Sequence, residues 1–83
     1  MTKKEKIIRT ILDGLSDKNI SFNELCNLLK NLGFKEHIRG SHHIFRREDV
    51  LERINLQKDG TIAKAYQVKQ VRNILLKYKL GSR

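Results

Sequence analysis

Residues 34–47, FKEHIRGSHHIFRR, are the part of this sequence that says most about its fold. This stretch contains two strand-like segments, 34–39 and 42–47, separated by Gly40 and Ser41. Glycine lets the backbone turn tightly, and a serine hydroxyl can hydrogen-bond locally to hold such a turn. The stretch therefore predicts a β-hairpin whose second strand begins with two histidines.

Strand alternation assigns these two histidines to opposite faces of the hairpin, because successive side chains of a strand point in opposite directions. Phe45 is the largest apolar residue of its strand and is expected in the core. His43 shares the face of Phe45 and is expected to be partly buried, whereas His42 is expected on the open face with Ile44. Imidazole can give or take a proton near neutral pH. An acid–base role is one interpretation, and two unreactive strand histidines are the other.

Helical patterns flank the strand-rich middle on both sides. A first helix is expected at about 2–15, where apolar residues recur at helical spacing. The second is predicted to start at the capping box Ser21-Phe22-Asn23-Glu24 and to end near Gly33. A last helix is expected at about 66–79. Its expected inner residues are Val68, Val71, Ile74, Leu75 and Tyr78, and its expected outer residues are Lys69, Arg72, Lys77 and Lys79.

The rest of the middle predicts a third strand at about 53–57, in which Ile54 and Leu56 alternate with polar residues. The charged connection 48–52 is a candidate for a helical turn, and Asp59-Gly60 is typical of a turn.

Helix, three-stranded meander and helix together predict an α+β layer. Its antiparallel sheet would carry both helices on one face and leave the other face open. We expect a single domain over 1–83, made of a core at 20–80 and an additional N-terminal helix at 1–16 that packs against the same body.

Composition restricts the class of protein. The chain has 83 residues, of which 39% are hydrophobic and 33% charged, as in folded domains. Its 18 Lys and Arg residues against 9 Asp and Glu give a net charge of +9, which favours an anionic partner such as nucleic acid, an acidic protein or a membrane surface. We expect a cytoplasmic location, because apolar runs of membrane-spanning or signal-peptide type are missing and the single Cys26 fits a reducing compartment.

Phosphate binding is the better interpretation of this excess of basic residues. They cluster around the hairpin and near the start of the last helix, and a guanidinium offers two donors in a fixed fork. The candidate RNA-binding residues are Lys35, Arg39, Ser41, Arg46, Arg47, Arg53, Lys64, Lys69 and Arg72.

Neither a metal site nor a cysteine nucleophile is expected. His37, His42 and His43 lack acidic or cysteine ligands at a defined spacing. Cys26 belongs to the apolar face of the second helix, where burial makes a thiol inert. We therefore expect no cofactor.

Residues 21–80 resemble the HicA-type toxins, small messenger-RNA interferases of bacterial and archaeal toxin–antitoxin pairs. The resemblance rests on Leu32-Gly33-Phe34, on Arg39-Gly40-Ser41-His42-His43-Ile44-Phe45 and on Arg72-Asn73-Ile74-Leu75-Leu76-Lys77. It implies a fold like that of a double-stranded-RNA-binding domain, a catalytic histidine in the Gly-Ser-His motif, RNA as the substrate and a HicB-type antitoxin as the partner. The chain departs from many members at 61–66, which has neither proline nor histidine, and in its additional first helix.

The leading function is RNA cleavage without a metal, in which a base takes the proton of a ribose 2′-hydroxyl and the oxygen attacks the neighbouring phosphate. His42 is the predicted general acid/base, with His43 as the first alternative. Arg39, Arg46 or Arg47 would stabilise charge on the phosphate. Two other classes remain: a non-catalytic module that binds double-stranded RNA by its shape, and an interaction protein whose basic surface docks an acidic antitoxin.

Overall fold

The computed structural model describes residues 2–80, so the outer limits of the expected 1–83 domain lie outside the described residues. The elements found there follow the predicted order of helices around a sheet. The helices are α1 (Lys3–Asp13), α2 (Phe22–Asn31) and α3 (Ala65–Lys77), and a short 3-10 helix, Asp17–Asn19, joins α1 to α2. The strands of the main sheet are β1 (Lys35–Arg39), β2 (His42–Arg47) and β3 (Val50–Leu56).

These three strands form an antiparallel meander in the order β1-β2-β3, so the fold is α+β with the layout of a double-stranded-RNA-binding domain. Two further short strands, β4 (Lys58–Asp59) and β5 (Ile62–Ala63), form a separate ribbon before α3. Among residues 2–80, no helix combines the length and the apolarity that a membrane crossing needs.

Side-chain caps fix where the first two helices begin. The Oγ1 atom of Thr2 accepts a hydrogen bond from the backbone N–H of Glu5 at 3.2 Å, and the Glu5 carboxylate accepts one from the N–H of Thr2 at 3.1 Å. This reciprocal capping box starts α1. Ser21 caps α2 as predicted, accepting from the N–H of Glu24 at 3.3 Å, but the Glu24 side chain does not make the return bond of the predicted capping box. The Glu24 carboxylate instead lies 3.8 Å from the ammonium of Lys3 and so links α2 to α1.

The prediction for the connection after β2 is wrong. The segment 48–52 carries no helical turn, since Arg47 already pairs with Val50 across a tight turn at Glu48-Asp49. β3 therefore begins at Val50 rather than at about 53. A run of charged residues indicates exposure to solvent but not the type of structure. A tight turn followed by a strand with one solvated face exposes such residues as well as a helical turn does.

The β4–β5 ribbon was missed because two-residue strands are too short to show alternation. The turn predicted at Asp59-Gly60 lies at its tip, and Gly60 has a φ of 67°. The backbone N–H of Ala63 donates to the carbonyl of Ile20 at 2.9 Å, and that of Phe22 donates to the carbonyl of Thr61 at 3.1 Å. The ribbon thereby ties the start of α2 to the segment that leads into α3.

α2 and α3 pack on one face of the sheet, and α1 packs against these two helices, so that all three share one apolar core. Burying one large apolar side chain contributes about 1.5–3 kcal/mol. α1 contributes Ile8 and Ile11 to the same cluster as the sheet residues, so this helix packs against the body as expected. The fully buried large side chains are Ile11, Phe22, Leu25, Leu28, Leu29, Phe45, Ile54, Leu56, Val68, Val71 and Leu75.

The two outer edges of the sheet differ. Side chains from α3 and from its C-cap residue Tyr78 hydrogen-bond to the backbone along the outer edge of β3. Tyr78 Oη accepts from the N–H of Leu51 at 3.1 Å, and the Gln70 side chain donates to the carbonyl of Arg53 at 3.4 Å. The buried Gln67 accepts from the N–H of residue 57 at 3.0 Å. Across residues 2–80, no such side-chain bond reaches the backbone of β1.

Candidate active site on the open sheet face

The turn that carries the predicted motif has the geometry that the sequence suggests. Arg39 pairs with His42, so the loop consists of two residues, Gly40 and Ser41. Gly40 has a φ of 59°, and a positive φ at the first loop position alone is the signature of a type II′ turn. The expected local hydrogen bond of the Ser41 hydroxyl is not formed: its Oγ atom instead accepts from the side-chain nitrogen of Gln57 at 3.1 Å, so the turn is held from beyond the end of β3.

The sheet face opposite the helices carries His42 among basic residues. Residues that pair directly across antiparallel strands share a face, which places Lys35 with Arg46, His37 with Ile44 and Arg39 with His42. Asn55 pairs with Ile44 and extends this face onto β3. We define the open face as Lys35, His37, Arg39, His42, Ile44, Arg46, Leu51, Arg53 and Asn55, a set with four cationic side chains and no carboxylate.

His42 is exposed, and its ring is oriented by a neighbouring strand. Its Nδ1 atom lies 3.2 Å from Oδ1 of Asn55. With the amide oxygen of Asn55 as the acceptor, Nδ1 is the donor, and the lone pair of a neutral ring then lies on Nε2. This arrangement leaves Nε2 of His42 available as a base on the open face.

His43 lies on the helix side, partly buried as predicted. Its Nδ1 atom is 2.7 Å from a carboxylate oxygen of Glu36, and its ring meets that of Phe22 edge-on, with 4.9 Å between centroids. The hydrogen bond from His43 lowers the pKa of the Glu36 carboxyl group. The ammonium of Lys30, 3.0 Å from the same carboxylate, lowers this pKa further. His43 therefore joins β2 to β1 and to α2.

Cys26 is buried on α2, as the sequence predicted. Burial raises the pKa of its thiol to about 11, so the thiol stays protonated at neutral pH and is a poor nucleophile. The structure nevertheless brings Cys26 close to Glu36 and His43, with one ligand atom of each lying within 4.8 Å of the others. Sequence reasoning missed this cluster because its members come from three separate elements.

Four of the predicted RNA-binding residues, Lys35, Arg39, Arg46 and Arg53, lie together on the open face. Ser41 lies in the adjoining turn. Arg47 points to the other side of β2, with its Nε atom 2.8 Å from Asp49.

Three further predicted RNA-binding residues belong to α3 or its start and lie off this face. Lys64 donates to the side-chain oxygen of Gln57 at 3.3 Å, and Lys69 is exposed on the helix. Arg72 was expected on the outside, and this is wrong: its side chain is only 16% exposed. Its Nη1 atom lies 2.8 and 3.1 Å from the two carboxylate oxygens of Asp17 and 3.3 Å from the carbonyl of Ile11.

An antiparallel three-stranded layer with helices on one face and a basic, exposed second face defines a small α+β protein of the double-stranded-RNA-binding-domain type. Residues 22–77, from the first residue of α2 to the last of α3, match the family model of the HicA toxin of bacterial toxin–antitoxin systems. The chain belongs to the HicA toxin family, which implies an antitoxin partner, and α1 lies outside the matched region. No curated protein and no solved structure matches the chain.

Proposed function

We propose that this HicA-family toxin is an endoribonuclease that cleaves messenger RNA without a metal ion and uses His42 as its general acid/base. The observation that carries the proposal is the orientation of His42, whose Nδ1 atom faces Asn55 while its Nε2 atom is left available on a cationic surface. RNA supplies both the phosphate that such a surface attracts and the 2′-hydroxyl that a base can activate.

The proposed reaction starts when Nε2 of His42 takes the proton of a ribose 2′-hydroxyl. The 2′-oxygen then bonds to the adjacent phosphorus, the bond from phosphorus to the 5′-oxygen breaks, and the leaving oxygen takes a proton from water. We expect Arg39, which pairs with His42, to donate to the phosphate oxygens as negative charge builds up. Arg46 lies four residues further along the same face of β2, where it would bind a flanking phosphate.

His43 is the competing residue for the acid–base role. Its contact with Glu36 is the kind of carboxylate–imidazole pair that orients a catalytic histidine. Its side chain, however, is only 21% exposed and lies on the helix side, away from the cations of the open face. Access for RNA therefore favours His42.

The test compares purified His42→Ala and His43→Ala in an RNA-cleavage assay that contains a chelator. We expect His42→Ala to lower the rate by about 10²–10⁴-fold, because one placed acid–base group contributes that much, and to keep its circular dichroism spectrum and melting temperature. Cleavage by His42→Ala at the wild-type rate would refute the role of His42. Loss of cleavage in a folded His43→Ala, with His42→Ala active, would transfer the role to His43.

The same assay separates catalysis from simple binding. A wild-type protein that binds RNA and leaves it intact would be a non-catalytic module of the same fold, which reads double-stranded RNA by its shape and its phosphates.

We also propose that a HicB-type antitoxin covers the open face and blocks the site sterically, in the cytoplasm where the messenger RNA is. Ile44 is half-buried beside His42, and Leu51 is 90% exposed on the same face. Two apolar residues on a face that carries four cations fit a partner that offers apolar side chains within an acidic surface.

A further inference from the structure

A mixed cluster of potential metal ligands lies on the helix side of the sheet, away from His42. Cys26 comes from α2, Glu36 from β1 and His43 from β2. One ligand atom of each lies within 4.8 Å of the other two. Nδ1 of His43 and Oε2 of Glu36 are 2.7 Å apart, joined by a hydrogen bond. Cys26 is buried and the other two are partly exposed, at 16% and 21% of their side chains, so the cluster borders solvent on one side.

From this convergence we propose that Cys26, Glu36 and His43 bind a zinc ion. A thiolate, a carboxylate and an imidazole are the three ligand types that zinc takes in proteins, at about 2.0–2.3 Å from the metal. Tetrahedral ligands at these metal–ligand distances lie about 3.3–3.8 Å from one another. Side-chain rotations that move the ligand atoms by about 1 Å would therefore bring the cluster to zinc geometry. The fourth position is open to water on the exposed side.

Charge and support around the cluster fit this ion. Two anionic ligands, the thiolate and the carboxylate, neutralise a divalent cation. On binding, the thiol proton leaves to solvent, the hydrogen bond between His43 and Glu36 breaks, and the Nδ1 proton of the neutral ring moves through solvent to Nε2. Lys30 contacts the Glu36 oxygen that does not face His43, so this ion pair holds the carboxylate without occupying the ligand atom. The edge of Phe22 packs against the His43 ring and limits its rotation, as outer-shell contacts do around zinc ligands. The sulfur ligand disfavours magnesium and calcium.

The proposed site lies across the sheet from the open face and goes beyond the proposed RNA chemistry. Zinc bound there would join α2 to β1 and β2 and would stabilise the folded protein. His43 would then serve as a metal ligand, which separates its role from that of its neighbour His42.

The experiment titrates the chelator-stripped full chain with cobalt(II), the spectroscopic substitute for zinc, and then with zinc(II). We expect equimolar binding, a thiolate-to-cobalt charge-transfer band, the strong visible bands of tetrahedral cobalt, and loss of both when zinc is added. Zinc alone should raise the melting temperature of the wild-type protein. RNA is absent throughout, so this result does not depend on whether the proposed nuclease activity is correct.

Three variants control the assignment. Cys26→Ser and the near-isosteric Glu36→Gln should each lose the charge-transfer band and the zinc-dependent rise in melting temperature. His37→Ala, which removes an exposed histidine of the open face, should keep both. A wild-type titration without the charge-transfer band would overturn the proposal. Cobalt bands that survive in folded Cys26→Ser and Glu36→Gln would also overturn it. Metal binding that disappears only in His37→Ala would show that the ion is an adventitious one on the surface.

Discussion

The Oδ1 atom of Asn55 on β3 lies 3.2 Å from Nδ1 of His42 on β2, so the partner that orients the proposed base comes from the neighbouring strand. Asn55→Ala removes this acceptor, and we expect slower RNA cleavage with little change in RNA affinity. Asn55→Asp keeps an oxygen acceptor at this position, so we expect it to retain more of the cleavage rate than Asn55→Ala does.

Nitrogen NMR of the histidine ring would measure the tautomer and protonation of His42 directly in both variants. A positioning role requires that the Nδ1–H tautomer lose its dominance in Asn55→Ala. Unchanged ring signals in both variants, with cleavage abolished, would mean that Asn55 acts on the RNA instead.

The arginines of the open face should set the salt dependence of RNA binding. Arg39→Ala combined with Arg46→Ala should weaken binding and reduce the slope of log affinity against log salt by about 0.7–0.9 for each phosphate that is no longer neutralised. Filter binding at several salt concentrations measures both quantities. Arg9→Ala with Lys18→Ala removes the same charge from exposed positions on the helical side of the chain and is the matched control. An equal reduction of the slope in this control would show that RNA affinity depends on the overall charge of the protein rather than on the arginines of the open face.

Arg72 should contribute to stability. Its guanidinium binds Asp17 at 2.8 Å and the carbonyl of Ile11 at 3.3 Å, which fastens α3 to α1 and to the short helix that follows. Arg72→Ala leaves a partly buried carboxylate unpaired, so we expect a decrease of about 1–3 kcal/mol in the free energy of unfolding. Urea denaturation of this variant, of Asp17→Ala and of the double variant should show strong non-additivity. If Arg72→Ala instead keeps the wild-type free energy of unfolding and its RNA affinity depends less steeply on salt, Arg72 contacts the RNA.

Glu52 should make stability depend on pH in the acid range. Its carboxylate accepts from Lys77 at 2.8 Å and from Tyr78 Oη at 2.6 Å, and these bonds lower its pKa from 4.5 to about 2. A lowered pKa in the folded state stabilises the protein fully above pH 4.5, and this contribution disappears as the pH falls towards 2. Melting curves of wild-type protein and Glu52→Gln should therefore differ at neutral pH and converge under acid. A constant difference across this range would contradict the assignment.

Hydrogen exchange would locate the antitoxin. If it covers the open face, amides of the 39–47 hairpin should gain protection in the complex, and Ile44→Glu should weaken binding by placing an anion against an acidic partner. Protection confined to residues 2–15, with the hairpin exchanging freely, would move the docking site to α1.

The sequence predicts local relationships well and distant ones poorly. The opposite faces of His42 and His43 follow from strand alternation, which depends only on neighbouring residues, and the II′ turn follows from one glycine. The contact between Arg72 and Asp17 joins residues 55 positions apart, so no local pattern could show that this arginine turns inward.

The cluster of Cys26, Glu36 and His43 was missed for the same reason. Each of its members has an ordinary place in its own element, and only the packing of α2 on the sheet brings them together. The spacing argument against a metal site applies to ligands within one element or loop and does not cover ligands that tertiary packing assembles. Strand alternation alone places Asn55 on the face opposite Ile54 and Leu56, but its contact with His42 also depends on the register between β2 and β3.

The closing of one sheet edge by Tyr78, Gln70 and Gln67 has a consequence for self-association. A sheet with two free edges can recruit strands on both sides, and copies can then join into an open-ended stack. Here α3 occupies the outer side of β3, which leaves β1 as the edge at which another chain can add a strand. Pairing through β1 alone stops at two molecules, so strand addition to the main sheet would end at a dimer.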